Sequence, residues 1–203
     1  MKIILKIKIL IKILIIISCS SHPSLADRIS LNKISDYING LTTLQADFEQ
    51  INSDGSIDRG KLYIRRPGRM RLEYTAPNNA LVIAGAGSVA IFDDKSKNGP
   101  TLFPLKKTPL NLLLKKNVDL YKNEMITEHT ANNENTFIVA KDPKRKSQGS
   151  IKMVFSNSPV SLQGWTITNQ SNQKTKIILD KLDKKTKIPL YLFNISAASK
   201  NKN

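Results

Sequence analysis

The spacing of hydrophobic residues changes once along the chain, from a helical period to an alternating one. Between Ile29 and Leu41 the apolar side chains recur every three or four residues, which is typical of one helix face. We predict an amphipathic helix from about Ser30 to Asn39, ended by the pair Asn39-Gly40. From Leu44 onward apolar and polar residues mostly alternate, and this pattern predicts strands that are buried on one side only.

The cleanest alternation predicts two adjacent strands joined by a turn at Pro67-Gly68. Their apolar side chains share one face, and charged side chains such as those of Arg65, Arg69 and Arg71 share the other, where they could face a membrane or an acidic partner. Two apolar runs separated by a glycine-rich turn predict a hairpin. These runs lie at 81–83 and 89–92, and later runs predict strands at 136–140, 150–155, 162–169, 175–182 and 190–195.

A short hydrophobic helix is predicted at residues 108–114. Thr108 stands at its N-cap, Pro109 lies in its first turn, and four leucines follow. The pattern as a whole therefore predicts a mainly β protein with short helices (α+β). Its meandering antiparallel sheet has about ten strands and curves into a barrel or half-barrel.

The first 26 residues have the features of a secretory signal peptide. Lysines are the only charged residues before Asp27, and an apolar run is followed by polar residues and by Ser24-Leu25-Ala26. We predict a signal peptide at 1–26, cut after Ala26, and a single mature domain at 27–203. A membrane anchor would need about 20 uninterrupted apolar residues, and three lysines interrupt this stretch. An alternative cut would leave Cys19 to be acylated.

Charge and missing motifs exclude several classes of function. The chain of 203 residues has 32 Lys and Arg against 16 Asp and Glu, but no aromatic residues are interleaved with its basic clusters as in single-strand binders. We therefore predict no nucleic-acid partner. The single cysteine excludes an internal disulfide, and two histidines, His22 and His129, cannot build a zinc site. We expect His129 to be solvated at a strand end.

Catalytic motifs are also missing from the sequence. There is no P-loop, no dinucleotide fingerprint and no nucleophile elbow, and carboxylate pairs occur only in turn-like sequence. We predict that the protein is not an enzyme and needs no cofactor. An apolar sheet face that helices can cover is instead typical of a binding module for a hydrophobic ligand.

Several motifs together resemble the outer-membrane lipoprotein carrier family, the periplasmic LolA chaperones. The run 60–74, with Arg66-Pro67 after an alternating strand, is followed by the short Thr108-Pro109-Leu110 helix, and this combination is moderately specific. The resemblance spans nearly the whole mature chain. It also includes 48–50, Pro77, 81–83, Phe92-Asp93, 149–155, Pro159, Leu162 and Trp165.

This resemblance implies an incomplete, strongly curved antiparallel β-barrel lidded by α-helices. A monomeric carrier of this kind would take acylated lipoproteins from an inner-membrane ABC transporter to an outer-membrane receptor through the periplasm. The need for a carrier is physical, because a 16-carbon acyl chain carries roughly 12 kcal/mol of burial free energy. The main rival is a membrane-anchored receptor of the same fold, acylated at Cys19.

The predicted site consists of a hydrophobic wall, a lid and one arginine. Arg66 is a charge on the apolar strand face, and we predict that it latches the strand to the lid helices through their carbonyl oxygens. The resemblance also places the family's functional arginine here. The predicted acyl-binding residues are Leu62, Ile64, Met70, Leu72, Tyr74, Leu81 and Ile83 on the sheet, and Leu110, Leu113, Ile34 and Ile38 on the underside of the lid.

Overall fold

A computed structural model of the chain describes residues 28–93, 99–122, 124–142 and 149–202. The predicted signal peptide and Cys19 lie outside these residues. The described part is mainly β, with eleven strands and a few short helices. The strands are β1 Thr43–Ile51, β2 Ile57–Arg65, β3 Arg69–Tyr74, β4 Leu81–Gly85, β5 Ser88–Phe92, β6 Thr101–Pro104, β7 Ile126–Ala131, β8 Asn135–Lys141, β9 Ser150–Asn157, β10 Val160–Thr168 and β11 Lys174–Asp183; the α-helices are α1 Leu31–Gly40, α2 Asn111–Leu114 and α3 Ile195–Lys202.

All eleven strands form one antiparallel sheet that does not close into a barrel. Its order is β6-β5-β4-β3-β2-β1-β11-β10-β9-β8-β7, so the first and last strands of the chain pair in the middle. The chain runs outward from β1 to β6, crosses to the far edge at β7, and returns strand by strand to β11. This architecture confirms the predicted fold class of an incomplete barrel with helices.

Helix α1 lies where the hydrophobic spacing predicted a helix. Ser30 is its N-cap, and the Ser30 side chain accepts a hydrogen bond from the Lys33 amide, which satisfies one of the free donors of the first turn. The helix turns Ile34 and Ile38 into the core, and both are fully buried. The same face that gives the sequence its helical period therefore attaches the helix to the sheet.

The crossing from β6 to β7 contains a shorter helix than the sequence predicted. Helix α2 is a single turn that begins at Asn111, and a separate 3-10 turn covers Leu105–Lys107. Thr108 is not an N-cap, because its hydroxyl donates to the Leu105 carbonyl oxygen at 2.8 Å. We call α1 together with the segment 105–120 the lid, since both cover the concave face of the sheet.

The end of the chain covers the opposite, convex face. The predicted strand at 190–195 is wrong: Leu190–Phe193 form a 3-10 turn and α3 follows. We call residues 184–202 the C-terminal segment. Arg65 donates to the Ile188 carbonyl oxygen at 2.6 Å, and Arg71 donates to that of Leu192 at 2.9 Å. These two arginines therefore hold the segment against the sheet, and neither is a freely exposed basic residue.

No helix within the described ranges is both long and apolar enough to cross a membrane.

Candidate functional site

The concave wall of the site is built by alternate residues of neighbouring strands. Leu62 pairs with Leu72, and Ile64 pairs with Met70, across β2 and β3. Side chains of directly paired residues point to the same side of a sheet, so these four form one continuous apolar surface. Ile64 and Leu62 are fully buried, and Met70 and Leu72 nearly so. The structure thus brings these four predicted residues together.

Tyr74 continues this wall at the end of β3. Its ring packs edge-on against Phe48 with centroids 5.1 Å apart, and its hydroxyl donates to Gln50 Oε1 at 2.6 Å. Burial raises the pKa of the Tyr74 hydroxyl above its usual range, and the charge of Asp58 adds to this shift. Tyr74 is therefore a neutral, half-buried part of the wall.

The underside of the lid supplies the second half of the apolar interior. Ile34 and Ile38 of α1 are fully buried, as is Leu113 of α2, and Leu110 just before α2 is 5% exposed. All four belong to the same hydrophobic cluster as the concave wall. In this closed arrangement the side chains of the lid occupy the space that a ligand would need.

The prediction that Leu81 and Ile83 share this wall is wrong. Ile83 pairs with Arg71, and Leu81 pairs with Glu73, so both side chains lie on the convex face. There they form a second cluster with Ala90, Phe92, Ile188 and Phe193, beneath the C-terminal segment. On the concave side of β4 stand Val82 and Ala84, which pair with Leu72 and Met70.

Arg66 stands at the junction between the sheet and both parts of the lid. Its Nη2 donates to the Lys115 carbonyl oxygen, directly after α2, at 2.6 Å, and its Nη1 reaches the Leu41 carbonyl oxygen, directly after α1, at 3.5 Å. In the adjoining turn, the Gly68 amide donates to the Leu114 carbonyl oxygen at 2.8 Å. These are the kinds of acceptor that the sequence predicted for Arg66, although its role as a latch stays a prediction.

The contacts of Arg66 are incomplete. Its Nε is buried and has no hydrogen-bond partner among the described residues, and no carboxylate in the same ranges pairs with its charge. Burial alone lowers the pKa of the guanidinium, which still stays charged at any physiological pH. An unsatisfied buried donor costs about 1–3 kcal/mol, and this cost offsets part of what the Arg66 bonds to the lid contribute.

The two parts of the lid are also tied to each other, which sequence reasoning missed. Asn39 of α1 donates to the Val118 carbonyl oxygen at 2.8 Å and accepts from the Val118 amide at 2.9 Å. The Leu120 amide donates to the buried hydroxyl of Ser35 at 2.9 Å. These bonds make α1 and the segment 105–120 one connected cover.

Strands on the far side of β1 complete the concave wall with residues that were not predicted as ligand contacts. Met153 and Phe155 of β9 and Trp165 of β10 are buried in the same cluster as Leu62 and Ile64. Alternation in the predicted strand at 150–155 was the signal that could have identified the first two. Trp165 is the only tryptophan of the chain, so it reports on this wall alone.

A hollow of about 180 Å³ opens where the lid meets the edge of β8 and β9. Polar residues Lys107, Asn111 and Lys115 and apolar residues Leu112, Ala140 and Ile151 are among those that line it. A cavity of about 150 Å³ accommodates a single benzene-sized group. The closed structure therefore has room for one end of a hydrocarbon chain, and a whole acyl chain needs the lid to move.

Comparisons with known proteins agree with this architecture. The family model described as outer membrane lipoprotein carrier protein LolA matches residues 39–196. The chain is 28% identical over 187 residues to an uncharacterized protein of Rickettsia prowazekii, covering 92% of this chain and 86% of that one. It is 24% identical over 165 residues to the outer-membrane lipoprotein carrier protein of Chromohalobacter salexigens, covering 74% and 75%.

Among solved structures, a putative outer membrane lipoprotein-sorting protein domain from Vibrio parahaemolyticus has a similar fold. The TM-score is 0.51 at 11% sequence identity, and the match covers 83% of this chain and 97% of that one. At this identity the likeness concerns the fold alone. The family model, which extends over more than three quarters of the sequence, carries the assignment: this chain belongs to the LolA family of outer membrane lipoprotein carrier proteins.

Proposed function

We propose that this chain is a periplasmic chaperone that binds the acyl chains of lipoproteins between its sheet and its lid. It would receive them from an inner-membrane ABC transporter and deliver them to an outer-membrane receptor. One observation carries the proposal: an apolar wall is closed by a lid whose underside belongs to the same hydrophobic cluster, and Arg66 reaches the backbone of both parts of that lid. The family and the names of its carrier relatives support the same conclusion.

The chemistry of the closed state favours exchange of the lid for a ligand. Ile34, Ile38 and Leu113 bury aliphatic carbon against the wall, and an acyl chain would bury the same kind of surface in their place. The wall of the sheet therefore stays covered when the lid moves out and an acyl chain moves in. The difference between the empty and loaded states then rests on the polar bonds between lid and sheet, at Arg66, Tyr37 and Leu105, and on the apolar underside that the lid exposes when it moves.

Trp165 provides a direct test of acyl binding. The exported protein is mixed with a lipopeptide whose acyl chains carry bromine atoms, which quench tryptophan fluorescence on contact. We expect saturable quenching, because Trp165 is 2% exposed and lines the concave wall. The same peptide without acyl chains is the control and leaves the fluorescence unchanged. Acyl chains that bind without quenching would place them outside the site and contradict the proposal.

The mature amino terminus separates the soluble carrier from the anchored receptor. Mass spectrometry of the protein from its own cell envelope should find Asp27 with a free amine, as expected for a chain released into the periplasm. A lipid-modified Cys19 would instead identify the anchored receptor. Both residues lie outside the described part of the chain, so this test is independent of the lid geometry.

A further inference from the structure

The C-terminal segment presents two large apolar side chains to solvent. Leu190 is 52% exposed and Tyr191 is 72% exposed, whereas Phe193 is 5% exposed and packs on the sheet. The 3-10 turn Leu190–Phe193 therefore separates an inner apolar side from an outer one. The inner side has a structural role, and nothing in the closed domain requires the outer side to be apolar.

The same segment is strongly basic. The last 20 residues contain five lysines and neither aspartate nor glutamate. Lys185 and Lys187 precede the exposed pair by only a few residues, and both side chains are exposed. Asp183 precedes the segment and accepts from the Lys185 amide, but the charged side chains of 184–202 are all positive, so the segment is attracted to a surface of the opposite charge.

The segment is held in a fixed position, so the exposed pair is presented by a rigid base. Besides the bonds from Arg65 and Arg71, the Phe193 carbonyl oxygen packs against Gly85, where a Cβ atom would lie only 2.4 Å from it. Arg71 also pairs with Glu73. Because the backbone of the segment is already fixed, less conformational entropy is lost when its exposed side chains bind a partner.

We propose that the outer side of the C-terminal segment docks the protein reversibly on a membrane surface that contains anionic lipid. Tyrosine is enriched at the headgroup level of membranes, because its ring is apolar and its hydroxyl stays wet. Leucine adds apolar contact, and nearby lysines are attracted to anionic headgroups. Lys187 and Lys200, toward the two ends of the segment, are exposed and add to its positive charge. This proposal does not depend on acyl binding in the concave site.

Vesicle flotation tests the docking surface directly. The exported protein is mixed with vesicles of phosphatidylcholine containing about one third phosphatidylglycerol, and with vesicles of phosphatidylcholine alone. We expect binding to the first and not to the second, and we expect added salt to weaken it. Absence of binding to the anionic vesicles would overturn the proposal, and it would leave the acyl-binding function untouched.

Matched variants locate the contact on the protein. Tyr191→Ser should reduce vesicle binding, while Tyr121→Ser, at a tyrosine that is also 72% exposed, should not. Lys185→Gln and Lys187→Gln should each lower the partition coefficient about fivefold. Lys174→Gln and Lys176→Gln, at exposed positions of β11, are the charge controls. Full vesicle binding by Tyr191→Ser would overturn the proposal. Equal losses of binding in the two lysine pairs would also overturn it, and they would indicate nonspecific attraction to the net charge of the protein.

Discussion

The lid on the concave face and the C-terminal segment on the convex face are both attached to one sheet by arginines that donate to backbone carbonyl oxygens. Arg65 and Arg66 are consecutive residues, yet the first holds the C-terminal segment and the second holds the lid. The difference lies in what surrounds them. Arg71, the second arginine beneath the C-terminal segment, pairs with Glu73, whereas Arg66 has a buried donor without a partner.

Under the proposed function, this difference would separate a permanent cover from a reversible one. The C-terminal segment closes a small cluster around Ile83 and Phe193, while the lid closes the large wall on which Leu62, Ile64 and Trp165 lie. A cover that must open does so more easily when some of its buried polar groups lack hydrogen-bond partners. Each missing bond makes the closed state less stable and so reduces the free-energy difference between the closed and open states. The following variants test that contrast, beginning with the largest expected effect.

Ile64 and Ile83 form a matched pair, since both are isoleucines of the sheet and both are fully buried, on opposite faces. Ile64→Ala and Ile83→Ala should each lower the free energy of unfolding by about 2–5 kcal/mol, measured in urea. Only Ile64→Ala should change the affinity for acyl chains in the Trp165 quenching assay. If Ile83→Ala changes that affinity as much, the assignment of the ligand to the concave face fails.

Arg66→Leu removes the side-chain bonds that join the sheet to both parts of the lid, and Arg65→Leu is its neighbouring control. Hydrogen bonds to a charged group contribute about 1.5–3 kcal/mol, so loss of the Arg66 bonds shifts the balance between closed and open states tenfold or more. The variant should fold and load lipoprotein but release it slowly, because the empty closed state is less stable. Transfer to the receptor in vitro measures this.

Arg65→Leu should leave transfer unchanged, since its bond lies on the other face. Normal transfer by Arg66→Leu would eliminate the latch.

Gly85→Ala should loosen the C-terminal segment and spare the lid. The new Cβ would lie 2.4 Å from the Phe193 carbonyl oxygen, and overpacking of this kind costs about 1–3 kcal/mol. Limited trypsin digestion should then cut at the lysines of 184–202 faster than in the unchanged protein. Gly87→Ala is the nearby control, because no atom lies within 4 Å of the position of its new Cβ. Its positive φ adds backbone strain but no clash with the C-terminal segment. If trypsin cuts Gly85→Ala no faster than the unchanged protein, the close packing of Phe193 on Gly85 is contradicted.

Substitution of His129 should have the smallest effect, and this effect concerns how the free energy of unfolding depends on pH. Its Nε2 lies 2.8 Å from the Ile29 carbonyl oxygen, just before the lid, and burial lowers the pKa of the imidazole. The folded state therefore favours the neutral ring, so this contribution is complete above the unfolded pKa of about 6.5 and is lost as the pH falls through the folded pKa. In His129→Gln the free energy of unfolding, measured in urea, should change less with pH below 6.5 than in the unchanged protein. An unchanged slope would exclude His129 as its source.

The sequence predicted the concave wall best in strands that have one buried face and one solvent-exposed face. In β2 and β3 charged residues alternate with Leu62, Ile64, Met70 and Leu72, so the face of each residue is unambiguous. In β4 both faces are buried, and the run from Leu81 to Gly85 contains no polar residue to indicate its orientation. Its covering comes from residues more than 100 positions away, which no local pattern can reveal.

Three further features depend on long-range partners in the same way. Asn39 meets Val118 across 79 residues of chain, and only the fold shows that this polar residue ties the lid together. The run at 190–195 is as apolar as a buried strand, but it packs on the face of the inner strands β3 and β4 as a 3-10 turn, where no strand edge is free. His129, expected to be solvated, lies within β7 and contacts the backbone of Ile29.

The segment that forms half of the lid is also the only covalent connection between the two outer edges of the sheet, since it leaves β6 at Pro104 and enters β7 at Ile126. It is thus anchored at both ends. A loop of this kind can bow away from the wall and open a slot, but it cannot turn outward as a free arm. In the proposed carrier, a thin hydrocarbon tail would pass beneath the bowed loop while the folded body of a lipoprotein stays outside.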